Sequence, residues 1–256
     1  MVSIAFRLTR GLIVFSIYII SRLLCLFSRL SKYSIIRDLE MTYIIPFKYI
    51  FLARFGEAYA VESALFRKYY DIILARSSIT LDIGAHIGTF TVRACRKIAG
   101  KGLVVAIEPE PSNVQYLMIN LSINKCKNVK VIRAACSDID GYDFLYLHGF
   151  TGHSLVLYSK KRIPVRTLRL DTLVSILKRF LSDLKNIYIK INAEGAELRI
   201  LKGGSETLRK YCSTIIVAVH HYPSQAREVG GFLRKKGFIV KVIEIRGNRL
   251  VIGLRV

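Results

Sequence analysis

Hydrophobic and polar positions follow two rhythms along most of this chain. Short apolar runs, bounded by glycine, proline or polar clusters, read as buried strands at 79–83, 102–108, 128–134, 186–192 and 213–219. Between them, apolar residues recur at i, i+3, i+4 and i+7, the stripe of an amphipathic helix. This stripe covers 87–99, 111–124, 171–181, about 195–202 with a further turn to 210, and 223–236. Leu65, Phe66, Tyr69, Ile72 and Ile73 carry it through 61–75 and predict a helix ahead of the first strand. Gly100 and Gly237 stand where helices end, Pro111 or Ser112 where one begins, and Asp171 at a helix start as its cap. From 134 to 171 the sequence is turn-rich, with short alternating strands at 144–147, 154–157 and 164–168. Two last strands, 238–245 and 248–255, meet at Arg246-Gly247-Asn248 as a hairpin. Alternating strand and helix predict an α/β fold with a doubly wound, mostly parallel sheet, and the closing hairpin adds one antiparallel strand.

Residues 1–45 break both rhythms and are read as a hydrophobic and basic helical segment with a connector, leaving 46–256 as the main domain. Gly11 to Ser28 is apolar except for Arg22 and a few serines, with Arg7 and Arg10 before it and Arg29 and Lys32 after. An apolar residue favours membrane insertion by about 0.3–0.6 kcal/mol and a central arginine opposes it by about 2.5–3.5. Arg22 lies off-centre, where snorkelling lowers that cost. The balance favours a tether through 11–28, and the heavier basic flank on its C-terminal side places the domain on the cytoplasmic face. Arg22 and Arg29, like Ser21 and Ser28, repeat every seven residues, so a helix lying on the membrane surface is open as well, as is one packed on the domain. No small-x-small site follows the apolar run, which argues against a cleaved signal peptide.

Five scattered cysteines without Cys-x-x-Cys spacing argue against a zinc site and a disulfide scaffold, and for a reducing compartment. The formal net charge of +22 fits nucleic acid, an anionic membrane surface or an acidic substrate such as a phosphorylated or uronic sugar. It also fits a plain solvated basic surface. Lys160-Lys161-Arg162 and Arg234-Lys235-Lys236 are the densest clusters.

Candidate chemistry concentrates at Leu81-Asp-Ile-Gly-Ala-His-Ile-Gly88, a strand end, a tight loop and a helix start. Such a loop brings backbone N–H groups close to a ligand. A dinucleotide loop reads Gly-x-Gly-x-x-Gly; this one has two glycines, with Asp82 at the strand end. Glu108 ends the next strand, where a doubly wound fold holds ribose hydroxyls. An acid for an ammonium group, an acid for a ribose and no pyrophosphate loop together point to S-adenosylmethionine (SAM).

The order of motifs resembles that of a class I SAM-dependent methyltransferase, and more narrowly of the FkbM family. The matching stretches are Leu81–Gly88, Ile107-Glu-Pro-Glu-Pro-Ser-Asn113, Ala135-Cys-Ser-Asp138, Val165-Arg-Thr-Leu168 with Leu170-Asp-Thr-Leu173, and Lys190-Ile-Asn-Ala-Glu-Gly-Ala-Glu197. The last, followed by Leu201-Lys202-Gly203, is the most specific. The resemblance implies a seven-stranded Rossmann-like sheet with a SAM pocket at the carboxyl ends of its first three strands. Asp82, Gly84 and Gly88 would line the methionine side. His86 is counted with that loop, its side chain read as facing solvent. Glu108 would hold the ribose, and the Cys136–Asp138 turn would lie by the adenine. FkbM relatives methylate hydroxyls of sugars, glycans and polyketides, so the expected acceptor is a hydroxyl on a small molecule, glycan or glycolipid.

Two departures bear on mechanism. Asn192 stands where the family has Asp, and Ala218 where it has Glu, so two carboxylates are missing from the expected rim. Asn192 cannot act as a base and is a poor metal ligand, so no metal is expected, and its role would be to orient the acceptor. A hydroxyl acceptor needs a base. Imidazole suits neutral pH as a side-chain type, which makes His220 the favoured base, with Glu194 and His221 as the remaining candidates. One rival is an RNA methyltransferase, suggested by charge; no appended RNA-binding module and no Asn-Pro-Pro-Tyr-type motif supports it. A second is a SAM-binding protein without catalysis. A dehydrogenase is disfavoured by the glycine spacing.

Overall fold

The structure, a computed structural model, describes residues 40–45, 49–54, 57, 79–98, 102–149, 151–181, 184, 186–245 and 248–255. The expected tether at 11–28, the helix at 61–75, Gly100 and the turn at 246–247 lie outside them. The described residues fall into two compact units that divide after Arg67. In the first, β1 (Glu40–Ile45) and β2 (Tyr49–Arg54) form an antiparallel hairpin with Ile45 opposite Tyr49. The hairpin straddles the boundary expected at 45 between connector and main domain, because the β-branched and aromatic residues of Tyr43-Ile44-Ile45 and Tyr49-Ile50-Phe51 favour a strand pair.

The second unit runs β3 (Ile79–Ile83), α1 (Thr89–Ile98), β4 (Leu103–Ile107), α2 (Pro111–Ile123) and β5 (Val129–Ile132). Three short strands follow, β6 (Ala135–Ser137), β7 (Gly141–Tyr146) and β8 (Arg162–Arg169), then α3 (Leu170–Lys178). The chain continues through β9 (Ile187–Ile191), α4 (Glu197–Gly203), α5 (Ser205–Lys210), β10 (Cys212–Val219), α6 (Pro223–Lys235), β11 (Ile239–Ile245) and β12 (Asn248–Leu254). Seven strands make one sheet in the order β11-β12-β10-β9-β3-β4-β5, in which β12 alone runs antiparallel to its neighbours. The doubly wound sheet and its closing hairpin are as the alternation predicts.

Every residue of β3 and β9 is buried, because these central strands are covered on both faces. On one face Leu81, Ile189, Leu201 and Val229 join the larger apolar core. On the other, Tyr188, Ile216 and Ala218 pack with Phe90 and Ala94 of α1. Ala218 is thus a core residue, 1% exposed, and a carboxylate there would meet apolar side chains rather than the rim expected for it.

Three local readings are corrected. The strand expected at 128–134 is β5, but the turn expected at 135–138 is largely a strand, since β6 pairs with β8 in a three-stranded sheet of order β6-β8-β7. The strand expected at 154–157 is a single bridge, Tyr146 to Ser154; the Ser154 hydroxyl takes the N–H groups of Val156 and Leu157 at 3.0 Å, which curls the backbone out of a ladder. Asp171 does not cap α3. Its carboxylate accepts the N–H groups of Glu206 and Thr207 at 3.2 and 2.7 Å and so caps α5 from a distance. The cap of α2 is Glu110, whose side chain takes the Asn113 N–H at 2.5 Å.

Gly84 is where the fold tolerates least. Its φ is +73°, and a Cβ there would lie 1.9 Å from the Asn192 carbonyl oxygen, a backbone atom with no room to retreat. Gly231, inside α6, has open space around a Cβ. Gly84→Ala is expected to lower stability by about 2–5 kcal/mol through left-handed backbone strain and overpacking. Gly231→Ala is expected to raise it by about 0.5–1 kcal/mol. Urea unfolding of the two variants checks both signs.

Candidate active site

From β3 the chain proceeds outward to β4 and β5, and from β9 outward to β10, so the crevice of this sheet opens at the carboxyl ends of β3 and β9. The loop 84–88 fills its floor. Gly84, His86 and Gly88 have φ of 73°, 53° and 87°, and this coil is anchored by the Gly84 and Ala85 N–H groups on the Ile107 carbonyl at 3.0 and 3.1 Å. Gly88 is held close to Leu117, whose Cδ1 would lie 2.4 Å from a Cβ. Both glycines therefore serve the loop's own packing first.

The coil turns the His86 N–H onto Glu108, at 2.8 Å from Oε2. Oε1 of Glu108 takes the Glu110 N–H at 3.1 Å and the Asn113 side-chain amide at 3.3 Å. Burial pushes the Glu108 carboxyl above its ordinary range, and His86 together with these hydrogen bonds pulls it back. A carboxylate has about four acceptor positions, and the three bonds here leave it able to take a hydroxyl. That capacity, at the carboxyl end of β4 beside the 84–88 loop, is what a ribose hydroxyl would use.

Asp82 sits differently from its expected place. Its residue is fully buried. Oδ1 meets Lys190 Nζ at 2.8 Å, and Oδ2 accepts the Thr91 hydroxyl at 2.5 Å. The ammonium group facing Asp82 is the chain's own, and Lys190 also donates to the Gly84 carbonyl at 2.9 Å. Asp82 supports the loop from beneath rather than lining the crevice. Cys136 is likewise a core residue, and burial pushes its thiol up to about 12. At Asp138 partial burial opposes the charge, but bonds from Arg199 at 3.0 Å and Ser137 outweigh it and hold the carboxyl below its ordinary range. Its main partner is thus a guanidinium that also binds Asp143 at 3.0 Å.

On the other side of the crevice the structure brings together Asn192 with His220, and Glu194 with His221. His220 Nε2 lies 2.9 Å from the Asn192 amide and Nδ1 2.9 Å from that of Asn248. Both ring nitrogens are engaged. His221 Nε2 lies 2.8 Å from Glu194 Oε2. An ionised carboxylate only accepts, so this contact places the ring proton on Nε2 and leaves the Nδ1 lone pair outward. Among the described residues Nδ1 has no hydrogen-bond partner.

Glu194 holds this position in a left-handed conformation, φ 49°. A buried clamp keeps it there: Glu197 Oε1 accepts the N–H groups of Ala193 and Gly195 at 3.1 and 3.2 Å, on either side of Glu194. Gln225 donates to Glu197 Oε2 at 2.7 Å and to the Gly195 carbonyl at 3.0 Å. Burial raises the Glu197 carboxyl, and the backbone bonds oppose it. Lys190 and Glu197 bound the most specific matching stretch but carry no predicted role, and neither do Gln225 and Asn248. Lys190 carried a signal, since a lysine inside Ile-Tyr-Ile-Lys-Ile must find a buried partner; Asn248 carried none.

Lys190→Met is expected to destabilise the fold by about 3–5 kcal/mol, because it leaves Asp82 buried without its countercharge. Adding Asp82→Asn is expected to recover part of that loss. A double-mutant cycle by urea unfolding measures the coupling.

Comparison with known proteins identifies the family. The FkbM methyltransferase domain matches residues 82–240. Methyltransferase sdnD of Sordaria araneosa is 26% identical over 200 residues, covering 66% of this chain and 77% of that protein. Methyltransferase 1 of Beauveria bassiana is 23% identical over 195 residues, covering 68% and 78%. The crystal structure of methyltransferase FkbM from Methylobacillus flagellatus shares the fold at a TM-score of 0.50 and 15% identity, over 78% of this chain and 54% of that one. With the family's domain spanning more than half of its length, this chain belongs to the FkbM methyltransferases, and is a class I, SAM-dependent enzyme.

Proposed function

We propose that this methyltransferase acts on a hydroxyl of a sugar or glycan, and that His221, held by Glu194, takes the hydroxyl proton. The observation that carries the reading is the 2.8 Å contact between His221 Nε2 and Glu194, with Nδ1 left open. An alcohol is a weak nucleophile until its proton is removed, so an imidazole oriented by a carboxylate suits a hydroxyl better than an amine or a thiolate. Bound SAM supplies an electrophilic methyl group on a sulfonium. On the protein side, the 84–88 loop and Glu108 would hold that donor, while Asp82 and Lys190 keep the loop in shape. Glu197 and Gln225 fix the backbone that aims Glu194.

His220, the base favoured from sequence, has both nitrogens committed to amides, so it serves better as a strut that positions Asn192 for the acceptor. The sugar-type acceptor is carried over from what the FkbM resemblance implies. The apolar stretch 11–28 adds to this reading a tether on the cytoplasmic face of a membrane; recovery of the full chain wholly in the soluble fraction after cell breakage would exclude it.

Incubation with methyl-labelled SAM and a fractionated lysate tests the acceptor. Label recovered as O-methyl sugar after acid hydrolysis supports the reading, and label only on amines or base nitrogens overturns it. His221→Asn and Glu194→Gln are each expected to reduce kcat about 10²–10³-fold with SAM affinity by calorimetry unchanged. Full activity in His221→Asn would remove His221 as the base.

A further inference from the structure

The small sheet β6-β8-β7 turns one face to solvent. Side chains alternate along β7, so Leu145 is buried while Tyr142, Phe144 and Tyr146 share the outer face. Tyr142 is 79% exposed and Phe144 42%. Across the ladder these three stand opposite Arg166, Pro164 and Arg162. The Arg162 guanidinium lies 4.1 Å over the Phe144 ring. Tyr158, 73% exposed, extends the row with its ring 5.4 Å from that of Tyr146.

Cations continue beyond the face, with Lys160 and Lys161 exposed just before β8. The neighbouring acids are engaged elsewhere: Asp138 and Asp143 by Arg199, Asp140 by Arg169, each at 3.0 Å. The result is a strip of rings at every second residue, a step of about 6.8 Å, flanked by positive charge. No Leu, Ile or Val stands among its paired residues, as an apolar partner or a bilayer interior would require. A neutral glycan could accept hydrogen bonds from the arginines but would leave their charge unmatched. Flat faces repeated along a negatively charged chain match the strip, and the net charge of +22 has the same sense.

We propose that this face binds single-stranded nucleic acid, with bases stacked on Tyr142, Phe144 and Tyr146, and phosphates met by Arg162, Arg166 and the two lysines. Sheet faces carrying exposed rings use this mode of recognition. The strip also leads somewhere. Tyr146 exchanges backbone hydrogen bonds with Ser154 at 2.8 and 3.0 Å, and the Ser154 hydroxyl donates to the Glu194 carbonyl at 2.6 Å. A strand lying along the rings would end at the loop that carries Glu194. The proposal depends neither on the acceptor nor on the base assigned above.

Fluorescence anisotropy of the full chain with a labelled twelve-residue oligouridylate, over 50–200 mM salt, tests it. Binding is expected to weaken with salt, by about 0.7 in log–log slope for each phosphate neutralised. Tyr142→Ala is expected to weaken binding about 5- to 100-fold without changing that slope, while Tyr142→Phe keeps the affinity. Arg166→Gln is expected to lower the slope by about 0.7. Equal affinity in Tyr142→Ala and the parent chain would overturn the proposal, leaving charge alone. So would displacement of the RNA by an equal charge of oligogalacturonate, or binding to phosphatidylglycerol vesicles with none to the oligonucleotide.

Discussion

The site depends on one buried ion pair. Asp82 and Lys190 are direct neighbours across the parallel ladder of β3 and β9, and both side chains lie almost wholly out of water. Burying two charges costs about as much as their attraction returns, so such a pair adds little stability beyond two well-packed apolar residues. Its effect here is geometric. One carboxylate oxygen holds the Lys190 ammonium and the other the Thr91 hydroxyl, while the ammonium also holds the Gly84 carbonyl. Strand β9, helix α1 and the first residue of the loop are thereby fixed to one point. An apolar pair would bury the same volume but leave the Gly84 carbonyl and the Thr91 hydroxyl without these partners, at the cost of unsatisfied buried polar groups.

From that point the rest follows outward. Gly84 can approach the Asn192 carbonyl because it lacks a Cβ. The coil through His86 then delivers one N–H to Glu108, and that bond sets the carboxylate at the end of β4. On the opposite wall Asn192 follows Ile191 directly, with its N–H on the Ile83 carbonyl at 3.0 Å. The two walls of the crevice are thus linked by main-chain bonds, and the Asn192 side chain, which differs from the family's usual pattern, sits on a frame held without it.

Much of this architecture is legible in the sequence, and the physical reason is periodicity. Buried central strands read as unbroken apolar runs and covered helices as stripes, so the order β3-α1-β4-α2 and the closing hairpin can be written from the chain alone. Glu108 is legible because the fold puts an acid at the end of that strand. Contacts between elements are not legible. Asp171 has the right composition to cap its own helix, yet its carboxylate meets α5, over 30 positions away. Asp82 reads as an acid waiting for a ligand ammonium, because nothing local reveals that Lys190, 108 positions later, is its partner. Residues 154–157 alternate like a strand, but Ser154 uses its hydroxyl to close a turn, and side-chain competition of this kind has no periodic signature.

The two histidines show why adjacent residues of one type take different roles. His220 follows Val219 at the end of β10 and turns toward Asn192 and Asn248; His221 turns toward Glu194. A carboxylate can only accept, so it fixes the tautomer of His221 and with it the nitrogen that stays basic. An amide can accept with its oxygen or donate with its nitrogen at the same distance. Two amides therefore hold the His220 ring in place whichever nitrogen carries the proton, and impose no tautomer on it. An aspartate at 192 would have made His220 the oriented imidazole of this site. With asparagine there, the ring has no carboxylate partner, and under the proposal above the asymmetry needed for proton transfer lies with the neighbouring pair.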